Sequence, residues 1–161
     1  MKKMVLMSIA FLVAIGLFGC SSDSDNKQEK NNEKARTEQK LPSKTINNVN
    51  IKVSNLKLTE NPSGKKNILQ AELAMVNNSN STVGIGAGDF QVTAKGKTYM
   101  IYPEGNNFGS EISKGKKLKG SAYYEIPKGI KKVELQYKPV VVEGQKSKVL
   151  GTWNLNLPAV D

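Results

Sequence analysis

Apolar residues divide the chain into three segments with different patterns. An apolar run fills residues 4–18, and residues 21–43 contain only two hydrophobic side chains, Ala35 and Leu41. From residue 44 onward, apolar and polar residues alternate in short stretches. Alternation with a period of two is typical of strands that bury one face. The pattern therefore predicts an apolar leader, a polar linker and a β-rich domain over residues 44–161.

The alternation predicts seven to eight short antiparallel strands in this domain. It runs over residues 49–53 and continues in the opposite phase at 56–58, which predicts a bulge near Ser54. No segment shows a helical stripe, so we expect an all-β, immunoglobulin-like β-sandwich with Trp153 as the largest core side chain. The other predicted strands, and one further apolar run, lie at residues 69–75, 90–94, 97–102, 118–126, 133–137, 140–142 and 153–157.

The N-terminal segment has the features of an export signal. Lys2 and Lys3 precede the apolar run, which is shorter than the roughly 20 residues of a membrane-spanning helix. Residues 17–20 (LFGC) resemble the bacterial lipobox, although Phe18 is larger than that motif prefers. The resemblance implies a lipoprotein signal peptide over residues 1–19, cleavage between Gly19 and Cys20, and a diacylglycerol thioether on Cys20. An uncleaved anchor or an ordinary signal cut nearby are the alternatives.

Residues 20–43 are predicted to form a flexible tether behind the lipidated Cys20. Residues 21–43 carry five basic and five acidic side chains and no apolar periodicity. Such a segment buries too little surface to offset its chain entropy. At roughly 5–6 Å × √n, it spans about 25–30 Å. We therefore expect the domain to lie close to the cell membrane, on its extracytoplasmic face.

Composition limits the chemistry of the domain. The chain has no His and one Cys, so a His-based catalytic centre, a His metal site and an intrachain disulfide are excluded. We accordingly predict a protein that is not an enzyme and has no cofactor or metal site. Residues 44–161 carry 17 Lys against nine acidic residues, a net charge of +8 without any Arg. Nucleic acid is not an expected partner, because the predicted location is extracytoplasmic.

The lysines suggest one candidate site. Four Lys-Gly pairs begin at Lys95, Lys114, Lys119 and Lys128, and because Gly is frequent in turns we expect these lysines on loops. The densest group, Lys114, Lys116, Lys117 and Lys119, is the predicted site for a polyanion. The alternative is that each is a solvated turn residue.

Two other sequence features suggest a site less strongly. Residues 84–88 (GIGAG) precede a strand rather than a helix, so we expect a flexible connection there rather than a phosphate loop. Asp89 and Glu104 suggest at most weak calcium binding, and solvated acids are the preferred interpretation.

Several short stretches resemble a known family. They are residues 75–79 (MVNNS), 89–92 (DFQV), 112–115 (ISKG), 120–127 (GSAYYEIP), 133–137 (VELQY) and 153–155 (WNL). Together they are similar to a telokin-like, immunoglobulin-like domain of unknown function found in lipoproteins of Gram-positive bacteria. The resemblance implies the fold and a cell-surface setting, and it implies no catalytic residues.

The function predicted from the sequence is binding. A lipid-anchored β-sandwich is expected to recognise an envelope component or a protein partner through its end loops or a sheet edge. The alternative is an electrostatic surface module that binds anionic polymers or lipid headgroups through its loop lysines.

Overall fold

The computed structural model describes residues 41–141 and 146–161. The predicted signal peptide, Cys20 and the tether up to residue 40 lie outside the described residues. The apolar run at 140–142 is described only in part.

Ten strands and one short 3₁₀ helix occur in the described part of the chain. The strands range from three to 12 residues in length, and no α-helix is found among the described residues. Their bounds are β1 Ser43–Ile46, β2 Val49–Glu60, β3 Lys66–Asn77, β4 Val83–Gly86, the 3₁₀ helix Ala87–Asp89, β5 Phe90–Ala94, β6 Lys97–Tyr99, β7 Gly109–Ile112, β8 Lys117–Pro127, β9 Lys132–Tyr137 and β10 Gly151–Asn156.

The strands form two four-stranded sheets and one additional pair. Sheet I has the order β1-β2-β3-β8, sheet II has the order β10-β9-β5-β6, and β4 pairs with β7. All these neighbours are antiparallel. The prediction of an all-β sandwich is confirmed.

The structure has ten strands where alternation predicts seven to eight. The additional strands are β1, β4 and β7, which have four residues each. β1 is largely exposed and β4 contains Gly84 and Gly86, so neither shows a clear apolar alternation. The prediction of a flexible connection over residues 84–88 is wrong, because β4 pairs with β7 and the Gly86 N–H donates to Asp89 Oδ2 at 2.8 Å.

Two local predictions are confirmed. The pairing of β2 with β3 shifts register between Val53 and Asn55, which places a bulge at Ser54. Lys95 and Gly96 form the tight turn between β5 and β6, with φ angles of 48° and 73°. Positive φ at both turn residues suits a two-residue hairpin, since it matches the twist of the paired strands.

The core lies between the two sheets. Trp153 is the largest fully buried side chain, as predicted, and its ring lies 6.3 Å from that of Phe90. Tyr124 Oη and Trp153 Nε1 are buried without a hydrogen-bond partner among the described residues. Burial raises the pKa of Tyr124 well above its usual range. The other fully buried large side chains are Ile51, Val53, Leu69, Leu73, Met75, Ile112, Ile126, Leu135 and Leu155.

The direction of β8 defines two ends of the sandwich. β8 begins beside the end of β3, with Lys117 opposite Val76, and we call this end the lysine end. It finishes beside Lys66, at the turn that joins β2 to β3, and we call this end the paired end. Because β9 starts only a few residues after β8, the far end of β9 lies at the lysine end.

Candidate functional site

Lys117 and Lys119 lie on the outer face of sheet I. Both belong to β8, both are exposed, and they are opposite Val76 and Ala74 of β3. Residues two apart in a strand point to the same face and are about 7 Å apart. The structure therefore brings these two predicted lysines together.

Lys52 adds a cation that sequence reasoning missed. It is exposed on β2 and lies opposite Ala74, so Lys52 and Lys119 flank the same alanine. Two strand spacings separate their backbones, about 9–10 Å. The alternation of β2 places Lys52 on the outer face, but only the pairing of β2 and β8 with β3 shows its neighbour.

Lys114 and Lys116 lie in the turn between β7 and β8. Gly115 has a φ of 72° there, and its N–H donates to the Asn77 carbonyl at 2.8 Å. The Asn77 N–H in turn donates to the Lys116 carbonyl at 3.0 Å. The turn is thus fixed to the end of β3, and both lysines are exposed. We call Lys52, Lys114, Lys116, Lys117 and Lys119 the lysine patch.

The side chain of Asn77 organises the lysine end from inside. It is fully buried, and its Nδ2 donates to the carbonyls of Ser81 and Ile112, both at 2.7 Å. Its Oδ1 accepts from the N–H and the hydroxyl of Ser79, at 2.9 and 2.6 Å. All its hydrogen-bond partners are backbone or hydroxyl groups. The Asn77 amide therefore forms no hydrogen bond with a charged side chain.

Among the described residues, one acid forms a salt bridge with the patch. Glu72 Oε1 is 2.8 Å from Lys119 Nζ and accepts a hydrogen bond from Ser54 Oγ at 2.7 Å. The hydrogen bond from Lys119, followed by that from Ser54, holds the pKa of Glu72 below its ordinary value. The other four patch lysines form no salt bridge with any described residue. The patch therefore keeps most of its positive charge.

The paired end shows the opposite arrangement on sheet I. Lys66 pairs with Glu125 and Lys128 pairs with Glu60. Asn61 is buried, and its Nδ2 donates to Glu125 Oε1 at 2.9 Å. The hydrogen bonds from Lys66 and then Asn61 lower the pKa of Glu125.

The four Lys-Gly pairs do not form one cluster. Lys95 and Lys128 lie at the paired end, and Lys114 lies at the lysine end. Lys119 and Gly120 lie inside β8 rather than in a turn, so that part of the prediction is wrong. Gly120 is required there because a Cβ at this position would collide with the ring of Phe108.

Both carboxylate oxygens of Asp89 accept hydrogen bonds from backbone N–H groups. Its Oδ2 accepts from Gly86 and its Oδ1 accepts from the Val140 N–H at 3.1 Å. No group of three or more potential metal-binding side chains occurs in residues 41–141 and 146–161.

A shallow groove of about 660 Å³ opens on the outer face of sheet II, near the paired end. Its charged lining residues are Lys95, Lys132 and Glu134, and Thr93 Oγ1 donates to Glu134 Oε2 at 3.3 Å. Because both signs of charge line this groove, it is a weaker anion site than the lysine patch.

The fold and the patch define an all-β sandwich domain with a basic outer face. Residues 25–148 match the family described as "Domain of unknown function (DUF4352)", and the chain belongs to that family. The resemblance to a family of domains of unknown function is thereby confirmed. Its telokin-like character and its restriction to Gram-positive lipoproteins stay predictions.

Two solved structures from Bacillus subtilis are similar in fold. The first is the ycdA protein, named a "putative lipoprotein", with a TM-score of 0.59 and 20% identity. That match covers 71% of this chain but only 38% of the ycdA chain. The second is the yjhA protein, with a TM-score of 0.50 and 17% identity, covering 73% of this chain and 96% of that one.

A search of curated proteins found no match. Among the described residues, no helix is long and apolar enough to cross a membrane.

Proposed function

We propose that the protein is a lipoprotein, anchored in the cell membrane through Cys20, with its domain (residues 44–161) on the extracytoplasmic face. The N-terminal pattern supports this, because a basic start, a short apolar run and residues 17–20 occur in the required order. The similarity to the ycdA protein, itself named a "putative lipoprotein", agrees with the proposal. Two acyl chains are sufficient for stable anchoring.

The anchor is tested by metabolic labelling with a fatty acid. Wild-type protein is expected to incorporate the label and to fractionate with membranes. Cys20→Ala is expected to lose the label, because no other thiol is present in the chain. Label that persists in Cys20→Ala would contradict the lipoprotein proposal.

The domain is proposed to be a binding module for anionic groups of the envelope, on polymers or on lipid headgroups. The observation that carries this is the uncompensated charge of the lysine patch. Four of its five lysines form no salt bridge with any residue the structure describes, and all five are exposed. Adjacent cations of one sign concentrate anions at a surface.

Inorganic polyphosphate is the probe for this activity. The triple variant Lys114→Gln, Lys116→Gln, Lys117→Gln is expected to lower the affinity about tenfold or more at low salt, and less at high salt. The matched control replaces Lys57, Lys66 and Lys128 with Gln, which removes the same net charge from lysines that already have carboxylate partners. Equal losses in the two triple variants would show that only net charge matters and would overturn the assignment.

A protein partner is the second candidate. β1 and β10 are edge strands of their sheets, and an exposed edge can pair with a strand of another protein. A specific protein retained from envelope extracts at high salt, and bound equally by both triple variants, would favour this candidate over the polyanion.

A further inference from the structure

Exposed apolar side chains are concentrated in one connection. The described residues include five large hydrophobic side chains that are exposed, and three of them lie between β9 and β10. Val140 is 78% exposed, and Val149 and Leu150 are each 43% exposed. Single exposed apolar residues are ordinary, but three in one short connection form a surface that calls for an explanation.

This connection lies at the lysine end. Gly151 pairs with Tyr137, and the Leu150 N–H donates to the Tyr137 carbonyl at 2.8 Å. A Cβ at Gly151 would meet Ile46, the last residue of β1, which is itself opposite Val49 at this end of β2. The exposed apolar side chains are therefore at the same end of the sandwich as the turn that holds Lys114 and Lys116.

Hydrogen bonds fix both described parts of the connection, the residues after β9 and those before β10. The Val140 N–H donates to Asp89 Oδ1 at 3.1 Å, and the Ser147 hydroxyl donates to the Pro139 carbonyl at 2.8 Å. The backbone near Val140 is thus fixed, while its side chain contacts solvent.

More positive charge accompanies these apolar residues. Lys146 and Lys148 are exposed and form no salt bridge with the described residues. Over residues 138–150 the sequence contains three Lys and one Glu. Lysines beside exposed valine and leucine form a surface with both an apolar and a cationic component.

We propose that the lysine end docks on an anionic phospholipid bilayer, with Val140, Val149 and Leu150 entering the interfacial region. The proposal rests on the proposed function and deepens it, since it assigns the lysine patch to lipid headgroups. Surfaces that bind at a membrane interface combine buried apolar area with attraction to anionic lipids. The long lysine side chains can reach headgroups while their stems stay near the apolar side chains.

The other end of the molecule has cations but fewer exposed apolar side chains. Lys66 and Lys128 pair with carboxylates there, whereas Lys65, Lys95 and Lys132 are exposed and form no salt bridge with a described residue. The exposed large apolar residue near that end is Val160, whose backbone bridges Leu58. The tether predicted for residues 21–43, about 25–30 Å long, would let the domain present either end to the bilayer. The three exposed apolar side chains beside the lysines then favour the lysine end.

A thiol probe tests which end meets the membrane. The full lipid-anchored chain is reconstituted into phosphatidylcholine vesicles with or without phosphatidylglycerol, after labelling Leu150→Cys with an environment-sensitive fluorophore. Cys20 carries the lipid, so the new thiol is the only reactive one in the chain. Ser63→Cys, in the exposed turn of the paired end, is the matched control. Neither substitution changes the anchor, and both sites are solvent-accessible.

We expect a blue shift and about a twofold or greater rise in emission at position 150 in anionic vesicles, with quenching by nitroxide lipids. The probe at position 63 should behave as in solution. Replacing Lys114, Lys116 and Lys117 with Gln should reverse the change at position 150. Equal emission at positions 150 and 63 in anionic vesicles would overturn the docking proposal.

The same preparations separate this proposal from the broader one. Polyphosphate binding that depends on the patch, without a shift at position 150, would overturn docking and leave the binding-module proposal standing. A shift at position 150 without polyphosphate binding would overturn the polymer part of that proposal and support a purely lipid target.

Discussion

The two halves of sheet I are built from similar residues but differ in how their charges are used. At the paired end, Lys66 and Lys128 each contact a carboxylate, while Lys65 in the turn between β2 and β3 forms no salt bridge with a described residue. At the lysine end, Lys119 contacts Glu72, and the other four patch lysines form no salt bridge with a described residue. The net charge of the domain is therefore not spread evenly over this sheet. Salt-bridged lysines are largely neutralised locally, and only the other lysines are available to an external anion.

A buried asparagine lies at each end of sheet I, Asn61 at the paired end and Asn77 at the lysine end. Their hydrogen bonds explain part of the difference in salt bridges between the two ends. Asn61 donates to a carboxylate, Glu125, and so helps to place the acid that holds Lys66. Asn77 bonds only to backbone and to a serine hydroxyl. An asparagine thus positions a carboxylate at the paired end, whereas at the lysine end the other asparagine hydrogen-bonds loop backbone and a serine hydroxyl.

The largest expected effect comes from removing these asparagines. Asn77→Ala should lower the free energy of unfolding by about 3 kcal/mol, because the buried Ile112 carbonyl and the partly buried Ser81 carbonyl lose their donor. Asn61→Ala should cost about 1–2 kcal/mol, since its partner Glu125 is partly exposed and can be solvated. Urea unfolding measures both, with Asn77→Asp as a control that keeps the Oδ1 acceptor. A larger loss at Asn61 than at Asn77 would contradict this ranking.

Placing an acid at the lysine end should make it resemble the paired end. Val76 lies on the outer face directly opposite Lys117, so a carboxylate there would pair with the patch. We expect Val76→Glu to lower the affinity for polyphosphate about tenfold at low salt. Val76→Gln is the neutral control of the same size and should stay within about twofold of wild type. Similar losses in both variants would show that side-chain shape, rather than charge, controls binding.

The sequence pattern predicts most strands of the fold, but it does not predict how the strands pair or which surface residues this brings together. Buried strands with clear alternation, such as β3 and β9, were predicted, and the phase change at Ser54 gave the bulge. β4 was missed because its pairing with β7 depends on residues far along the chain, and its glycines carry no pattern. Local periodicity reports which residues are buried, but not which strands meet.

The candidate site shows the same limit. Lys114, Lys116 and Lys117 are close in sequence, so their proximity could be predicted. Lys52 joins them only through the pairings of β2 with β3 and of β3 with β8, and the first of these shifts register at the bulge. Glu72, which neutralises Lys119, lies on another strand and gives no sequence signal of its partner.

Breaking the salt bridge between Glu72 and Lys119 is expected to have a smaller effect. Glu72→Gln should release Lys119 and raise polyphosphate affinity about twofold to threefold. It should cost about 0.5–1 kcal/mol of stability at neutral pH, as for other partly exposed ion pairs. Since the folded pKa of Glu72 is lowered, its stabilising contribution is present above the unfolded pKa and is lost as the pH falls through the folded pKa.

This prediction has a direct control in the pH dependence. Urea unfolding of wild type and Glu72→Gln should differ at neutral pH and converge in acid, where the wild-type carboxyl is protonated. Ser54→Ala removes the second hydrogen bond to the same carboxylate and should give a difference in the same direction. A difference that stays constant from neutral to acid pH would show that Glu72 does not stabilise through its charge.

The smallest expected effect concerns the paired end itself. Lys66→Gln and Lys128→Gln should each change the free energy of unfolding by less than about 0.5 kcal/mol, because both ion pairs are exposed to solvent and screened by salt. Polyphosphate affinity should also change little, since the lost cations were already neutralised. Calorimetry on the same samples checks both quantities. A loss of affinity as large as that from a patch lysine would mean that Glu60 and Glu125 do not shield their lysines, and the distinction between the two halves would fail.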